Sequence, residues 1–360
     1  MMTLVNHRLL SFRHIAYLLL LSITCAACDA DQPTSVSAPL SRQLFEGPTM
    51  GTHYHITICD APSEKVDVAL LKKEVDRLLQ SINQQMSTYI KDSELSRFNQ
   101  NQSDDWFEVS PELLKVVESG IEISKESAGA FDMTVGPLVN LWHFGPDPGE
   151  KTIPDNSQIE AARKNVGYQH IELRDDQPAL KKLIPDVYLD LSAIAKGYAV
   201  DAVGLYLESQ SIENYLVEIG GEMRARGHNQ KRLPWSVGIE KPVSETRVVQ
   251  KIVSLENLAM ATSGNYRNFF EVDGKTYSHT IDPRTGRPVK HALASVTVVG
   301  ENCMICDALA TCLMVLGPEE GYNWAKEKNF AAYFIVKTEH GFTERYSPRW
   351  QELLREVNKP

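Results

Sequence analysis

Asp307 and Thr311 stand four residues apart in the stretch Cys306-Asp307-Ala308-Leu309-Ala310-Thr311. On a helix that spacing puts both on one face, about one turn apart. Each offers oxygen, and the aspartate carries the charge a hard cation prefers. Magnesium takes such ligands and keeps waters or substrate phosphates in the rest of its shell. The same pair also reads as a helix-start carboxylate favoured by the helix dipole and a threonine bonded back to its own helix. Asp190 and Lys196 flank another candidate. A lysine on the first turns of a helix can reach an anionic phosphate at the helix N-terminus, or it is a solvated lysine beside an N-terminal-turn carboxylate. His279, just before Asp282-Pro283, can orient a hydroxyl or take its proton, or serve as a satisfied structural histidine. His53 and His55 alternate in a strand-like run and read as structural. Gly220-Gly221 and Gly264 suit tight turns or close backbone approach.

These residues need elements to hold them. Leu71, Val75, Leu78, Leu79 and Ile82 recur at helical spacing, predicting an amphipathic helix over about Val66 to Met86. Ser110-Pro111 is a cap followed by proline at the first helical position, and Leu113, Leu114, Val117 and Ile121 continue that helix to about Ala128-Gly129. A short strand over Val187 to Leu191 is expected to feed a helix from about Ile194 to Leu207. Strand-like runs follow at Tyr215 to Ile219, Trp235 to Ile239, Ile252 to Leu255, Leu258 to Ala261, Tyr277 to Ile281 and Ala294 to Val299. A helix over about Cys306 to Val315 comes next, then a last hairpin at Ala331 to Val336 and Phe342 to Tyr346. Strands and helices mix without strict βαβ alternation, which predicts an α+β fold.

The chain's beginning reads as an address. Arg8 and Arg13 precede an apolar run, Ile15 to Ile23, that is too short to span a bilayer. The run meets Cys25-Ala26-Ala27-Cys28, which resembles a bacterial lipobox with Cys28 as the lipidated residue. Asp29 after it resembles the signal for inner-membrane retention. Residues 1–27 thus read as a lipoprotein signal, 28–43 as a flexible polar tether, and 44–360 as the folded body. With 42% hydrophobic and 23% charged residues, the whole chain has a globular composition, and its net charge of −10 argues against a nucleic-acid surface. Cys303 and Cys306 have CxxC spacing, but a second such pair is missing nearby; with Cys59 and Cys312 they read as buried thiols, a disulfide being the other option.

Several polar and glycine-rich stretches interrupt the packing pattern. They are Thr49-Met50-Gly51-Thr52, Ser87-Thr88-Tyr89, Ser93 to Asn99, Ala130-Phe131-Asp132, Val135-Gly136-Pro137-Leu138, Leu189 to Tyr198, Val217 to Glu222, Ala261 to Gly264, Tyr277 to Gly286 and Cys306 to Thr311. In that order they resemble the ApbE family of FAD:protein FMN transferases, from Thr49 to about Gly317. The resemblance implies an ApbE-type, T-fold-like α+β body. It implies FAD contacts at Met50, Tyr89, Ala130, Phe131, Asp132, Asp190, Lys196 and Ile281, and a Mg2+ site formed by Asp307, Thr311 and the backbone carbonyl of Ala193. It further implies that FMN passes from FAD to a threonine of an exported or membrane acceptor, such as flavin subunits of ion-translocating NADH:quinone oxidoreductase complexes, with His279, Asp307 and Thr311 at the reacting centre. An FAD pyrophosphatase giving FMN and AMP, or a flavin-binding lipoprotein without catalysis, would use many of the same residues.

Overall fold

The alternating runs near both ends of the chain meet in one sheet. The structure, a computed structural model, describes residues 40–61, 67–146, 149–243, 248–266, 269–272 and 274–357. Eight strands lie side by side in chain order: β1 (Arg42–Thr49), β2 (Thr52–Cys59), β3 (Tyr215–Ile219), β4 (Glu222–Arg226), β5 (Ala259–Gly264), β6 (Leu293–Gly300), β7 (Ala331–Thr338) and β8 (Gly341–Tyr346). Every neighbouring pair is antiparallel. β6 is buried along nearly its whole length, as a central strand covered on both faces must be.

Four helices cover one face: α1 (Val68–Met86), α2 (Pro111–Glu126), α3 (Ala195–Ser209) and α4 (Cys303–Glu327). On α1, Leu71, Val75, Leu79, Ile82 and Met86 form one buried stripe, and the Asp67 side chain caps the start by accepting from the amides of Ala69 and Leu70. Full burial of each such side chain stabilises the fold by roughly 1.5–3 kcal/mol. The other face packs against the hairpin Trp235–Glu240/Val249–Leu255 and the helix Pro348–Val357, which carries the buried Trp350. A third, smaller core of Leu138, Trp142, Ile159, Phe270 and Ile281 lies beside the separate hairpin Phe269–Val272/Lys275–Ser278. The architecture is α+β, in line with the sequence.

Some expectations need correction. Val187 to Leu191 belongs to no strand. The Asn99 side chain takes the place of a neighbouring strand, donating to the Leu189 carbonyl at 2.9 Å and accepting from the Leu189 amide at 2.8 Å. The run Tyr277 to Ile281 breaks at His279 and Thr280: Lys275–Ser278 pairs with Phe269–Val272, whereas Ile281–Asp282 pairs with Arg287–Pro288. α4 is longer than expected. The Asn302 side chain caps it, accepting from the Ile305 amide at 3.0 Å, and it continues past Val315 through a break at Gly317 (φ 80°) followed by Pro318. Asp307 therefore sits in the second turn, which removes the helix-start alternative. β1 begins at Arg42, inside the stretch expected to be tether, because Arg42 and Gln43 pair with Cys59 and Ile58. Cys59, Cys303, Cys306 and Cys312 are free and buried, not disulfide-bonded. The signal, most of the tether and Cys28 lie outside the described residues.

Candidate active site

The close crossing of α3 and α4 sets the geometry of the site. A side chain at Gly197 would come within 2.4 Å of the Cys303 carbonyl, so only glycine lets the helices approach this far. At that crossing each helix caps the other. Ile194, at the start of α3, makes no side-chain cap, and the Gly197 amide instead donates to Asp307 Oδ2 of α4 at 3.0 Å. In return, the Met304 amide of α4 donates to Asp201 Oδ2 of α3 at 2.9 Å. The Gly197 and Met304 amides are thus satisfied between helices, beside the local cap that Asn302 gives α4.

Asp307 is 4% exposed, and its other oxygen, Oδ1, faces Lys196 Nζ at 3.9 Å, too far for a hydrogen bond. The ammonium lies instead 2.8 Å from Glu222 Oε1. Glu222 opens β4 directly after the Gly220-Gly221 turn, whose φ angles of 62° and 110° require glycine, and is 4% exposed. Its Oε2 is buried without a hydrogen-bond partner among the described residues. Burial pushes the Glu222 carboxyl up to about 7 and also raises Asp307. Burial alone would lower the Lys196 ammonium, but Asp307 and Glu222 hold it above its ordinary value. Two buried carboxylates therefore share one lysine, an excess of negative charge that is costly without a further cation.

The cluster forms part of the lining of a cleft of about 380 Å³. Tyr89, Ala130, Phe131, Asp132, Asp190, Ala193, Lys196, His279, Ile281, Asp307 and Thr311 all line it, so the structure brings together residues spread over more than half of the chain. Thr311 Oγ1 shares a hydrogen bond with Ser263 Oγ of β5 at 3.0 Å. Tyr89 is largely exposed at the mouth. Asp190 caps its own turn, accepting from the Ser192 amide at 2.8 Å. Asp132 is buried, and its oxygens already accept from the Thr134 amide and hydroxyl and from the Tyr168 amide, so it holds the wall of the cleft together. The His279 ring meets Phe144 edge-on, with centroids 6.3 Å apart, in the break between the two short strands. Met50 is set apart from the lining. It occupies the β1–β2 turn with φ 48° beside Gly51 at φ 71° and packs against the main core. His55 is exposed and bonds Glu218 at 2.6 Å, as a surface histidine does.

Glu222 is the residue that sequence reasoning missed. It stood in the stretch Val217 to Glu222, and a carboxylate immediately after a glycine pair at the end of a strand was the available signal. Asp307 and Thr311 fit a magnesium ion as oxygen donors in an acid-rich pocket. Among the described residues no group of three or more His, Cys, Asp or Glu side chains could hold a metal alone; two side-chain oxygens suit an ion that keeps waters and substrate phosphates.

The chain is similar to known proteins over most of its length. The family model described as the ApbE family matches residues 50–334. A FAD:protein FMN transferase of Vibrio cholerae serotype O1 is 48% identical over 88% of this chain and 94% of its own length. A protein of the same name from Escherichia coli K12 is 39% identical over 96% and 98%. Among solved structures, the flavin transferase ApbE from Vibrio cholerae superposes with a TM-score of 0.81 at 47% identity, covering 87% of this chain and 99% of that one. The apo form of the Pseudomonas stutzeri flavinyl transferase ApbE gives 0.81 at 39% identity, covering 88% and 98%.

Proposed function

This chain belongs to the ApbE family, and from that premise we propose that it transfers the FMN half of FAD to a threonine hydroxyl of an acceptor protein, with Mg2+ required. The observation that carries this reading is the buried Glu222–Lys196–Asp307 cluster in a cleft that also holds Thr311 and His279. Such a cleft suits a substrate with a pyrophosphate at its middle.

FAD is FMN joined to AMP through that pyrophosphate. The acceptor oxygen attacks the FMN-side phosphorus, the bond to the AMP phosphate breaks, and AMP leaves. His279, which lines the cleft, takes the hydroxyl proton in this reading. Lys196 offers the pyrophosphate a fixed positive contact from the first turn of α3. Asp307, Thr311 and the Ala193 carbonyl would hold Mg2+, which supplies charge neutralisation at the pyrophosphate when bound. Tyr89, Ala130, Phe131, Asp132, Asp190 and Ile281 give the cleft its flavin- and adenosine-facing walls, and Met50 extends them only if the β1–β2 turn closes on the ligand. The proposed acceptors are flavin-bearing subunits of ion-translocating NADH:quinone oxidoreductase complexes. The proposed location is the periplasmic face of the inner membrane, held by a lipid on Cys28; a lone acyl chain binds only weakly, so several chains are expected.

The test is incubation of the full-length protein with FAD, Mg2+ and a candidate acceptor, with the mass of the acceptor as readout. A gain equal to one FMN, abolished by chelator, is expected. FMN and AMP released without labelling of any acceptor would make the protein an FAD pyrophosphatase instead.

A further inference from the structure

Lys196 has two carboxylates within reach, and the structure seats it on the one that is not a proposed cation ligand. Its Nζ is 2.8 Å from Glu222 Oε1 and 3.9 Å from Asp307 Oδ1. The lysine cannot move far from Asp307, because the next residue, Gly197, is bonded to that same aspartate through its amide. Without Glu222, an ammonium so placed would close onto Asp307 Oδ1, and that contact would neutralise Asp307 and fill the oxygen a cation needs.

Glu222 is built to compete for it. The Gly220-Gly221 turn places its carboxylate inside the cleft, and the turn is braced by Glu218, which accepts from the Gly221 amide at 2.7 Å and bonds His55 at 2.6 Å. The Gly220 amide is tied back to the His53 carbonyl at 3.2 Å. With Oε2 otherwise unpartnered, Glu222 has little else in the fold to satisfy. We infer that Glu222 is a positioning residue that holds Lys196 off Asp307, so that Asp307 Oδ1 stays open to the divalent cation. This rests on the metal reading above. It adds that the lysine, not only the solvent, competes with the cation for Asp307, and that Glu222 decides the competition.

The test uses the full-length protein and Glu222→Gln, which keeps the shape of the side chain but not its charge. In a cation-free crystal structure of the variant, Nζ is expected to have turned to Asp307 Oδ1, at a hydrogen-bond distance of about 3 Å. In calorimetric titration with Mg2+ alone, affinity is expected to fall by more than about tenfold, since an ion pair formed at this range opposes cation entry. The double variant Lys196→Met/Glu222→Gln lacks the competing ammonium and is expected to bind Mg2+ nearly as the parent does. Nζ still at its parental position in Glu222→Gln, or a double variant that binds as poorly as the single one, overturns the inference. A parent protein that binds no Mg2+ overturns the metal reading instead, and the position of Nζ in the variant still decides the role of Glu222.

Discussion

Asp201 and Asp307 are near-equivalent partners that end in opposite circumstances. Each lies on one of two crossing helices, each is buried, and each caps the first turn of the other's helix. Burial raises both carboxyls. They differ in the remaining oxygen. Asp201 Oδ1 receives Arg224 Nη1 at 2.9 Å, in a network where Arg224 also meets Glu208 and Tyr215. Among the described residues, Asp307 Oδ1 faces a lysine at 3.9 Å that is committed elsewhere. One end of the crossing is saturated and serves the fold. The other is left short of positive charge beside a cleft. The same side chain in the same local role is therefore left saturated or open according to whether its second oxygen is satisfied.

Substitution at the two aspartates tests that contrast most severely. Asp201→Ala breaks a buried ion pair and is expected to cost roughly 3–5 kcal/mol in a denaturant titration, while each folded molecule keeps most of its FMN-transfer activity. Asp307→Ala is expected to reverse the pattern. Stability falls by only about 1 kcal/mol, the value of a helix cap, whereas transfer drops by at least about a hundredfold, as loss of a metal ligand implies. Equal stability losses at both sites would remove the distinction. A smaller effect is expected of Gly197→Ala, which must push apart the two helices at the Cys303 carbonyl. Overpacking of this kind costs about 1–3 kcal/mol, and displacing Lys196 and Asp307 together should slow transfer about tenfold to a hundredfold. Calorimetric unfolding and single-turnover labelling report the two losses separately.

The smallest effect is in pH. Burial lifts the Glu222 carboxyl from 4.5 to about 7. Between those values the folded state binds more protons at this site than the unfolded state, so stability contributed here is present below pH 4.5 and is lost as pH rises towards 7. The Tm of the cation-free parent, measured relative to Glu222→Gln, should decline across that window. A flat difference would mean that Lys196 keeps Glu222 ionised throughout.

What could be read in the sequence followed the range of the interactions. The α1 stripe and the shared face of Asp307 and Thr311 repeat within a few residues, and both were legible. Lys196 at the head of a helix was legible for the same reason. The strand expected at Val187 to Leu191 was not one, because its apolar pattern is satisfied by burial while its hydrogen bonds go to Asn99, about ninety residues earlier. Glu222 escaped notice because its meaning depends on Lys196 and Asp307, which lie on two other elements. Asn302 as the cap of α4 was visible in the sequence, and recognising it would have placed Asp307 in the second turn. The family resemblance supplied the long-range grouping that periodicity cannot give.

The sheet follows chain order, yet β2 and β3 are joined only after the long stretch 60–214 has been threaded between them. Tyr89, Asp132, Asp190 and Lys196 come from that stretch, whereas Glu222, Ser263, His279 and Asp307 come from the continuous run after it. The cleft is therefore a seam, with one bank supplied by each part of the chain. Joining β2 to β3 closes a very long loop, the kind of contact whose entropic cost slows folding. Because the lining is drawn from both parts of the chain, a ligand that touches both banks binds the closed fold and not the open chain. Its binding energy then falls on the whole fold at once rather than on any one part.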